Sequence, residues 1–387
     1  MNSNNDVIRV TDDPGRIDQP AWNALLASQV RPSPFMRMEY LAAMHDSKSA
    51  VPETGWMPQF ITIHNGARLV AAAPAYLKSH SYGEYVFDWA WAEAYERHGL
   101  RYFPKLLVAV PFTPVPGTRL MASDDTSRHR LLSALTQLAA QTHASSAHVL
   151  FPDSQESSAY QGGAWMMRSG VQFHWQRDLR VQVRDFDSFL STLQRDKRKK
   201  ISQERRRVRD AGVTFTAHEA GLIDDELWDF FYRCYVRTYA AHRSTPYLTR
   251  DFFRLMASTM PQNWLMFVGR RNNHPIACSL IAIDRLEATA YGRYWGCTEY
   301  VDCMHFEACY YQPLEWCIAN GMARFEGGAQ GEHKMARGLM PVPTQSHHWL
   351  AHPQFARAVD NFLEQEGIGI TAYVNELRDH NPFKAAP

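Results

Sequence analysis

Apolar positions along the chain fall into helix-spaced and strand-spaced blocks, and one order of blocks occurs twice. In the first copy Asp18 stands where it can cap a helix, Pro20 fits its first turn, and Trp22, Leu25 and Leu26 form an apolar face. A second helix is predicted from Pro34 through Tyr40, Leu41 and Met44. Gln59–His64 reads as a strand, His64–Ala67 as a turn and Arg68–Leu77 as the return strand of a hairpin. In the second copy helices are predicted to begin at Asp225 and at Pro246, the latter running to Met256. Strands follow over Trp264–Gly269 and Pro275–Ile283, with a turn over Arg271–His274. Pro34–Met44 and Pro246–Met256 share a proline, an aromatic, an acid, an aromatic and a methionine at equal offsets. The pattern reads as an internal duplication: a mixed α/β fold of two similar modules, residues 1–180 and 181–387.

Between the copies, helices are predicted over Glu93–His98, Ser127–His143 and Ser154–Ser169, the last interrupted at Gly162–Gly163. Strands are predicted over Lys105–Val110, Ala147–Phe151, Val171–Trp175 and Leu179–Val183. From Leu190 to Gly212 a single helix is expected, with Leu190, Leu193, Ile201 and Val208 as a narrow apolar stripe and cations almost everywhere else. Nine cationic side chains between Arg195 and Arg209 exceed what solubility requires. They suggest an anion-binding helix for a nucleotide, a phosphorylated donor or RNA, against the plainer reading of a solvated helix face.

Bulk composition changes this picture little. The 387 residues carry a formal net charge of +1, so any nucleic-acid partner must use a local patch. The polar N-terminus suggests no secretory signal. The apolar run Leu69–Leu77 is short and broken by Pro74, so no membrane insertion is expected. Six cysteines without a C-x-x-C pair read as free thiols filling the core of a cytoplasmic protein. His305, Glu307, Glu332, His333, His347 and His348 are possible metal ligands by type, but none stands at an established zinc spacing, and no metal is expected. No G-x-S-x-G nucleophile motif occurs.

Chemistry concentrates between Tyr291 and Trp349. A strand over Leu286–Trp295 ends in Arg293, Tyr294, Trp295 and Gly296, where an arginine and a glycine before a helix can receive a phosphate. The helix Asp302–Asn320 carries His305 and Glu307 in its first turn, should kink at Pro313 and stops at Gly321. Glu307, near a helix N-terminus, also has a purely structural reading. A short strand Arg324–Glu326 opens into glycines that let a backbone approach a substrate closely. Gln330, Glu332, His333, Lys334 and Arg337 follow. Glu326, Glu332 and His305, with His333 beside them, are candidates for the base that deprotonates an attacking amine. Arg293, Tyr294, Trp295, Gln330, Lys334 and Arg337 are candidates for substrate binding. Upstream, the aromatic and polar segment with Tyr82, Glu84, Asp88 and Trp91 is expected to contribute to binding as well.

Four strings carry a family resemblance: K-S-H-S-Y-G-E-Y-V-F-D-W-A-W (Lys78–Trp91), Y-W-G-C-T-E (Tyr294–Glu299), H-F-E-A-C-Y-Y-Q (His305–Gln312) and F-E-G-G-A-Q-G-E-H-K-M-A-R-G (Phe325–Gly338). In these the chain resembles a bacterial family of predicted N-acyltransferases labelled peptidoglycan biosynthesis/recognition. That family lies in the GNAT superfamily close to the Fem-type aminoacyltransferases. The resemblance implies tandem GNAT-like acyl-CoA N-acyltransferase modules. It also implies a donor that is either acyl-CoA or aminoacyl-tRNA, with no tightly bound cofactor, and an amine acceptor on a small molecule, a peptide or a peptidoglycan precursor. The helix Arg195–Arg209 looks like one that Fem-type enzymes carry, which makes tRNA a candidate partner. Arg293–Thr298 matches the GNAT pyrophosphate loop only in part. The competing reading is a non-catalytic protein that recognises cell-wall precursors.

Overall fold

The computed structural model describes residues 6–329 and 331–384. In chain order the elements begin β1 (Asp6–Thr11), α1 (Gln19–Ala27), α2 (Met38–Asp46), β2 (Trp56–Pro58), β3 (Phe60–Asn65), β4 (Arg68–Ala73) and β5 (Ala75–Lys78). Next come α3 (Trp89–Arg97), β6 (Lys105–Val108), β7 (Met121–Ala122), α4 (Asp125–Gln141), β8 (Ser146–Leu150) and β9 (Met166–Gln176). They continue with α5 (Phe186–Thr192), α6 (Arg195–Asp210), β10 (Val213–Glu219), α7 (Asp225–Ala241), α8 (Arg250–Thr259), β11 (Trp264–Arg271) and β12 (His274–Asp284). Last are β13 (Thr289–Cys297), α9 (Met304–Phe306), a π-turn (Glu307–Tyr311), α10 (Gln312–Ala319), β14 (Arg324–Ala329), β15 (Met340–Leu350) and α11 (Pro353–Asp379).

Two compact units result: unit 1 from residues 1–170 and 343–372, unit 2 from residues 171–342 and 373–387. A single cut near residue 180 thus gives way to a discontinuous first unit, because Ser346–Leu350 pairs antiparallel with β8. In unit 1, α1 and α2 precede the hairpin β3–β4. In unit 2, α7 and α8 precede the hairpin β11–β12, turned by Asn272 and Asn273, both in the left-handed region. Among the described pairings, β6 with β8 in unit 1 and β13 with β14 in unit 2 are parallel. The order anticipated from the sequence therefore recurs.

Asp18 caps α1 by accepting from the Ala21 N–H, and Asp224 caps α7 by accepting from the Leu227 N–H. On α7, Trp228 stacks on Phe253 of α8, and Phe231 and Tyr235 meet that ring edge-on, over one face of the unit 2 sheet. The opposite face is covered by the core of Phe173, Trp175, Ile201, Leu265, Phe267, Ile281, Tyr311, Leu314 and Phe325. Burying each such side chain is worth about 1.5–3 kcal/mol.

Several expectations change. Pro74 breaks the predicted strand Arg68–Leu77, and β5 leaves the β3–β4 hairpin to pair with β2 and β6. Pro34–Met36 is a short 3₁₀ turn and α2 starts only at Met38. Likewise Pro246–Leu248 lies outside α8, which Thr249 caps. Within Ser154–Ser169 only Ser154–Tyr160 is helical, and the last four residues, from Met166, belong to β9. Leu179–Val183 is a turn with Leu179 91 % exposed, not a strand. Finally the helix Leu190–Gly212 is two helices, separated where Leu193 takes an extended conformation.

Candidate active site

β13 and β14 run parallel for three paired positions, Thr289–Tyr291 with Arg324–Glu326. On the opposite edge of β13 a bulge leaves Arg293 as an extra residue, since Leu280 pairs with Tyr294 but Ile281 with Gly292. A cleft of about 160 Å³ lies against these strands and the helix that follows β13, lined by Ser279, Arg293, Tyr294, Trp295, His305, Tyr310 and Gly327 among others.

Pro313 shapes the helical wall. It has no N–H, and instead of a simple kink the chain inserts a π-turn, in which the Gln312 N–H bonds the Glu307 carbonyl. The Ala308 carbonyl would look to residue 313 for a π-type donor and finds none, so the Ser279 hydroxyl donates to it at 2.6 Å. The turn presents Cys309 and Tyr310 to the cleft and aims Tyr311 at Glu204 of α6.

β14 needs similar compensation. Its pairing with β9 is interrupted between Glu326 and Ala329, so Gly327 and Gly328 lie outside the regular ladder. The buried Lys334 ammonium donates to the Gly327 carbonyl at 2.7 Å and to the Gly328 carbonyl at 3.3 Å. Burial brings Lys334 down to about 8. Arg337, also buried, fixes the 3₁₀ turn Glu332–Arg337 that carries the lysine. Its guanidinium bonds both oxygens of buried Glu204 at 3.0 and 2.8 Å, donates to the His333 carbonyl at 2.7 Å, and lies over the Phe306 ring at 3.6 Å.

The four acid–base candidates do not share one site. His305 lines the cleft, edge-on to Trp295 and Tyr310. Burial first, then the charges around it, depress His305 to about 4, which leaves it neutral at pH 7. His333 touches the Tyr310 hydroxyl at 3.2 Å and is also depressed, by burial and by Arg337 and Lys334. Glu332 is exposed and accepts from the Tyr373 hydroxyl at 2.8 Å. Glu326 alternates with the cleft-lining Phe325 and Gly327, so its side chain projects from the other face of the sheet. There it is registered between Tyr291 and His174, with His174 Nε2 3.9 Å away.

Among the binding candidates, Arg293, Tyr294 and Trp295 line the cleft. Lys334 and Arg337 hold its frame rather than standing open to a ligand. Gln330 lies outside the described residues. Gly296 is not a phosphate cradle: it lies inside β13, and a Cβ there would sit 2.4 Å from the Cys234 carbonyl of α7. Close helix–strand packing requires the glycine. Glu307 has the structural role, bonded by Arg205 Nη2 at 3.0 Å, with Glu315 on the same guanidinium at 2.7 Å. Tyr310, Cys309 and Ser279 were missed by sequence reasoning; only the C-Y-Y-Q-P string hinted at a distorted helix there.

In unit 1, Tyr82 is exposed, while Glu84 and Asp88 are buried and ion-paired with Lys105. Burial raises Glu84 to about 7; burial opposes ionisation of Asp88 too, but Lys105 more than offsets this and brings it to about 2. Trp91 is buried, edge-on to His348 and under the Arg168 guanidinium.

On α6, Ile201, Glu204 and Val208 face inward, and Arg205 and Arg207 are used by Glu307 and Asp302. An open strip remains, lined by Arg195, Arg198, Lys199, Arg206 and Arg209 with Ser202 and Gln203. The segment between β13 and α9 carries Glu299 and Asp302, paired with Arg271 and Arg207.

Residues 14–385 match the family model described as FemAB-like, peptidoglycan biosynthesis/recognition. No curated protein matches the sequence. Solved structures share the fold at low identity. One is FemX (9 % identity, TM-score 0.55, covering 89 % of this chain and 98 % of that one). Another is L-PGS from Bacillus licheniformis (11 %, 0.56, 92 % and 99 %). A third is the C-terminal domain of a putative lysylphosphatidylglycerol synthetase from Agrobacterium fabrum (10 %, 0.54, 88 % and 94 %). This chain thus has the mixed α/β fold of those structures.

Proposed function

The chain belongs to the FemAB-like peptidoglycan biosynthesis/recognition family, and from that premise we propose that it transfers an aminoacyl or acyl group to an amine. The observation that carries this reading is the strand pair β13–β14, whose ladder stops after three positions beside a bulge and a polar cleft. Backbone N–H groups released from the ladder are suited to polarise an acyl carbonyl. The acceptor nitrogen attacks that carbonyl, the ester or thioester bond breaks, and the leaving oxygen or sulfur takes a proton. Neutral His305 receives the proton lost by nitrogen, directly or through water. Its low basicity lets it pass that proton on.

Between the donors, one feature favours aminoacyl-tRNA. The cationic strip on α6 suits a polyanion. The acceptor is then an amine on a peptidoglycan precursor, in the cytoplasm. Among the described residues no helix is long and apolar enough to cross a membrane.

The test supplies radiolabelled aminoacyl-tRNA or acyl-CoA with precursor amines and follows amide formation by mass spectrometry. Transfer from aminoacyl-tRNA is expected, falling about 100-fold in His305→Gln. Joint replacement of Arg198, Lys199 and Arg206 by Gln is expected to weaken tRNA binding and flatten its salt dependence. Full turnover in His305→Gln would remove the base assignment. Absence of product with every donor, despite precursor binding, would favour recognition without catalysis.

A further inference from the structure

Unit 1 presents four large aromatic side chains to solvent within one short segment: Tyr82 is 56 % exposed, Tyr85 37 %, Phe87 57 % and Trp89 41 %. Scattered exposed apolar residues are ordinary, whereas a contiguous group marks a contact surface. The Tyr82 ring lies 5.1 Å from that of Trp89 and 5.2 Å from that of His80, centroid to centroid, so the rings are continuous.

The backbone beneath them is held firmly. Glu84 and Asp88 turn inward to the buried Lys105 ammonium. The Gly83 carbonyl accepts from the Phe112 N–H at 3.2 Å, and the Phe87 carbonyl accepts from Arg168 Nη1 at 2.6 Å. Tyr85 is kept at φ 62°, a costly conformation for a bulky residue. Desolvated charges and a strained backbone are an expensive way to hold a loop unless what it displays matters.

The display is uncharged. From Ser79 to Ala90 the only Asp, Glu, Lys or Arg side chains are Glu84 and Asp88, and both are buried. An anionic membrane or a nucleic acid would call for exposed cations here. A pyranose offers the matching chemistry: a C–H face that packs on an aromatic ring, and a rim of hydroxyls and amides that bonds to groups such as the Tyr82 hydroxyl. Tyrosine and tryptophan combine an apolar body with a polar handle.

We propose that Tyr82–Trp89 is a saccharide-binding platform, with Tyr82 and Trp89 stacking on amino-sugar rings of a neutral glycan. The inference rests on the family's peptidoglycan assignment and on this geometry, not on the transfer step.

The test measures binding of the full chain to two neutral amino-sugar glycans, chitotetraose and chitohexaose, by isothermal titration calorimetry. Tyr82→Ala and Trp89→Ala are each expected to weaken binding about tenfold. Both side chains are on the surface, so the urea midpoint should stay unchanged. Failure of the native chain to bind either glycan would overturn the proposal, as would affinities that the two variants leave intact. Co-sedimentation with phosphatidylglycerol or phosphatidylcholine vesicles that Trp89→Ala abolishes would assign the patch to a lipid surface instead. A drop in molar mass of Trp89→Ala in light scattering would assign it to a second copy of the chain. Transfer to a glycan-free peptide acceptor is measured separately, so failure of the platform and failure of the transfer reading remain distinguishable.

Discussion

Removing Glu204 should expose how much of unit 2 hangs on one buried ion pair. Glu204 and Arg337 are 6 % and 3 % exposed. The carboxylate takes two bonds from the guanidinium and one from the Tyr311 hydroxyl. In Glu204→Ala the Arg337 charge stays buried against Phe306 and, among the described residues, keeps the His333 carbonyl but no carboxylate. Leaving such a charge uncompensated costs about 3–5 kcal/mol. For a unit of this size that corresponds to a drop of roughly 6–20 °C in Tm. Replacing both partners by methionine removes charge and desolvation together, and should cost no more than about 1–2 kcal/mol. Urea unfolding of Glu204→Ala gives the cost of the lone charge, and Glu204→Met, Arg337→Met and Glu204→Met/Arg337→Met give the coupling from a closed cycle. If Glu204→Ala loses less than about 1 kcal/mol, or the double variant loses the sum of the singles, the pair is not the lock described here.

Three further expectations follow from the same structure. Lys334→Met deprives two carbonyls of their donor, so the amides of Phe325–Ala329 should exchange with deuterium about tenfold faster while those of α7 do not; equal exchange in both proteins would show that the lysine holds nothing. Gly296→Ala should cost about 1–3 kcal/mol by pushing α7 off β13, whereas Gly292→Ala, whose Cβ would meet its nearest neighbour at 3.5 Å, should be tolerated; indistinguishable urea midpoints would refute the packing argument. His148 and His348 share a proton between their Nδ1 atoms at 2.7 Å, and burial brings His148 to about 3 and His348 well below its usual value.

The sign for this pair is set by which state binds protons. Below pH about 6.5 the unfolded chain protonates these rings and the folded one does not, so stability is fully present above that pH and falls as pH drops toward 3. Each ring contributes a slope of about 1.4 kcal/mol per pH unit. Glu84 and Glu156, both raised to about 7 chiefly by burial, slope the other way between 7 and their unfolded values. The quantity to measure is therefore the difference in urea stability between the native chain and His148→Gln at pH 7, 6, 5 and 4. It should move against the native chain as pH falls, and a flat difference would contradict the assignment.

Local signals in the sequence were reliable where short-range chemistry decides the outcome. Asp18 before Pro20 caps a helix whatever the rest of the chain does, and Asn272–Asn273 makes a tight turn. The repeated helix–helix–hairpin order was legible because Pro34–Met44 and Pro246–Met256 share residue types at equal offsets, although proline moved both helix starts by several residues. Facing was harder. Glu326 and Gly327 are neighbours in sequence yet point to opposite sides of one strand, so proximity along the chain gave a false impression of a shared site. Lys334 and Arg337 read as ligands for an anion because their partners, two carbonyls and Glu204, are either invisible in side-chain patterns or 133 residues away. The inward turn of Glu204 and Arg205 on a helix of cations likewise depends on tertiary partners.

The π-turn beside the cleft has a consequence for how this chain can vary. Each helical residue advances the side-chain direction by about 100°, so one extra residue in a turn shifts the phase of all that follows. Before Glu307–Tyr311 the helix addresses the cleft through His305; after it, Leu314, Cys317 and Ile318 address the core. A one-residue deletion here would leave both ends well-formed helix and still misalign them, turning either the core residues outward or His305 away from the cleft. Length, more than side-chain identity, is what this stretch of the protein must conserve.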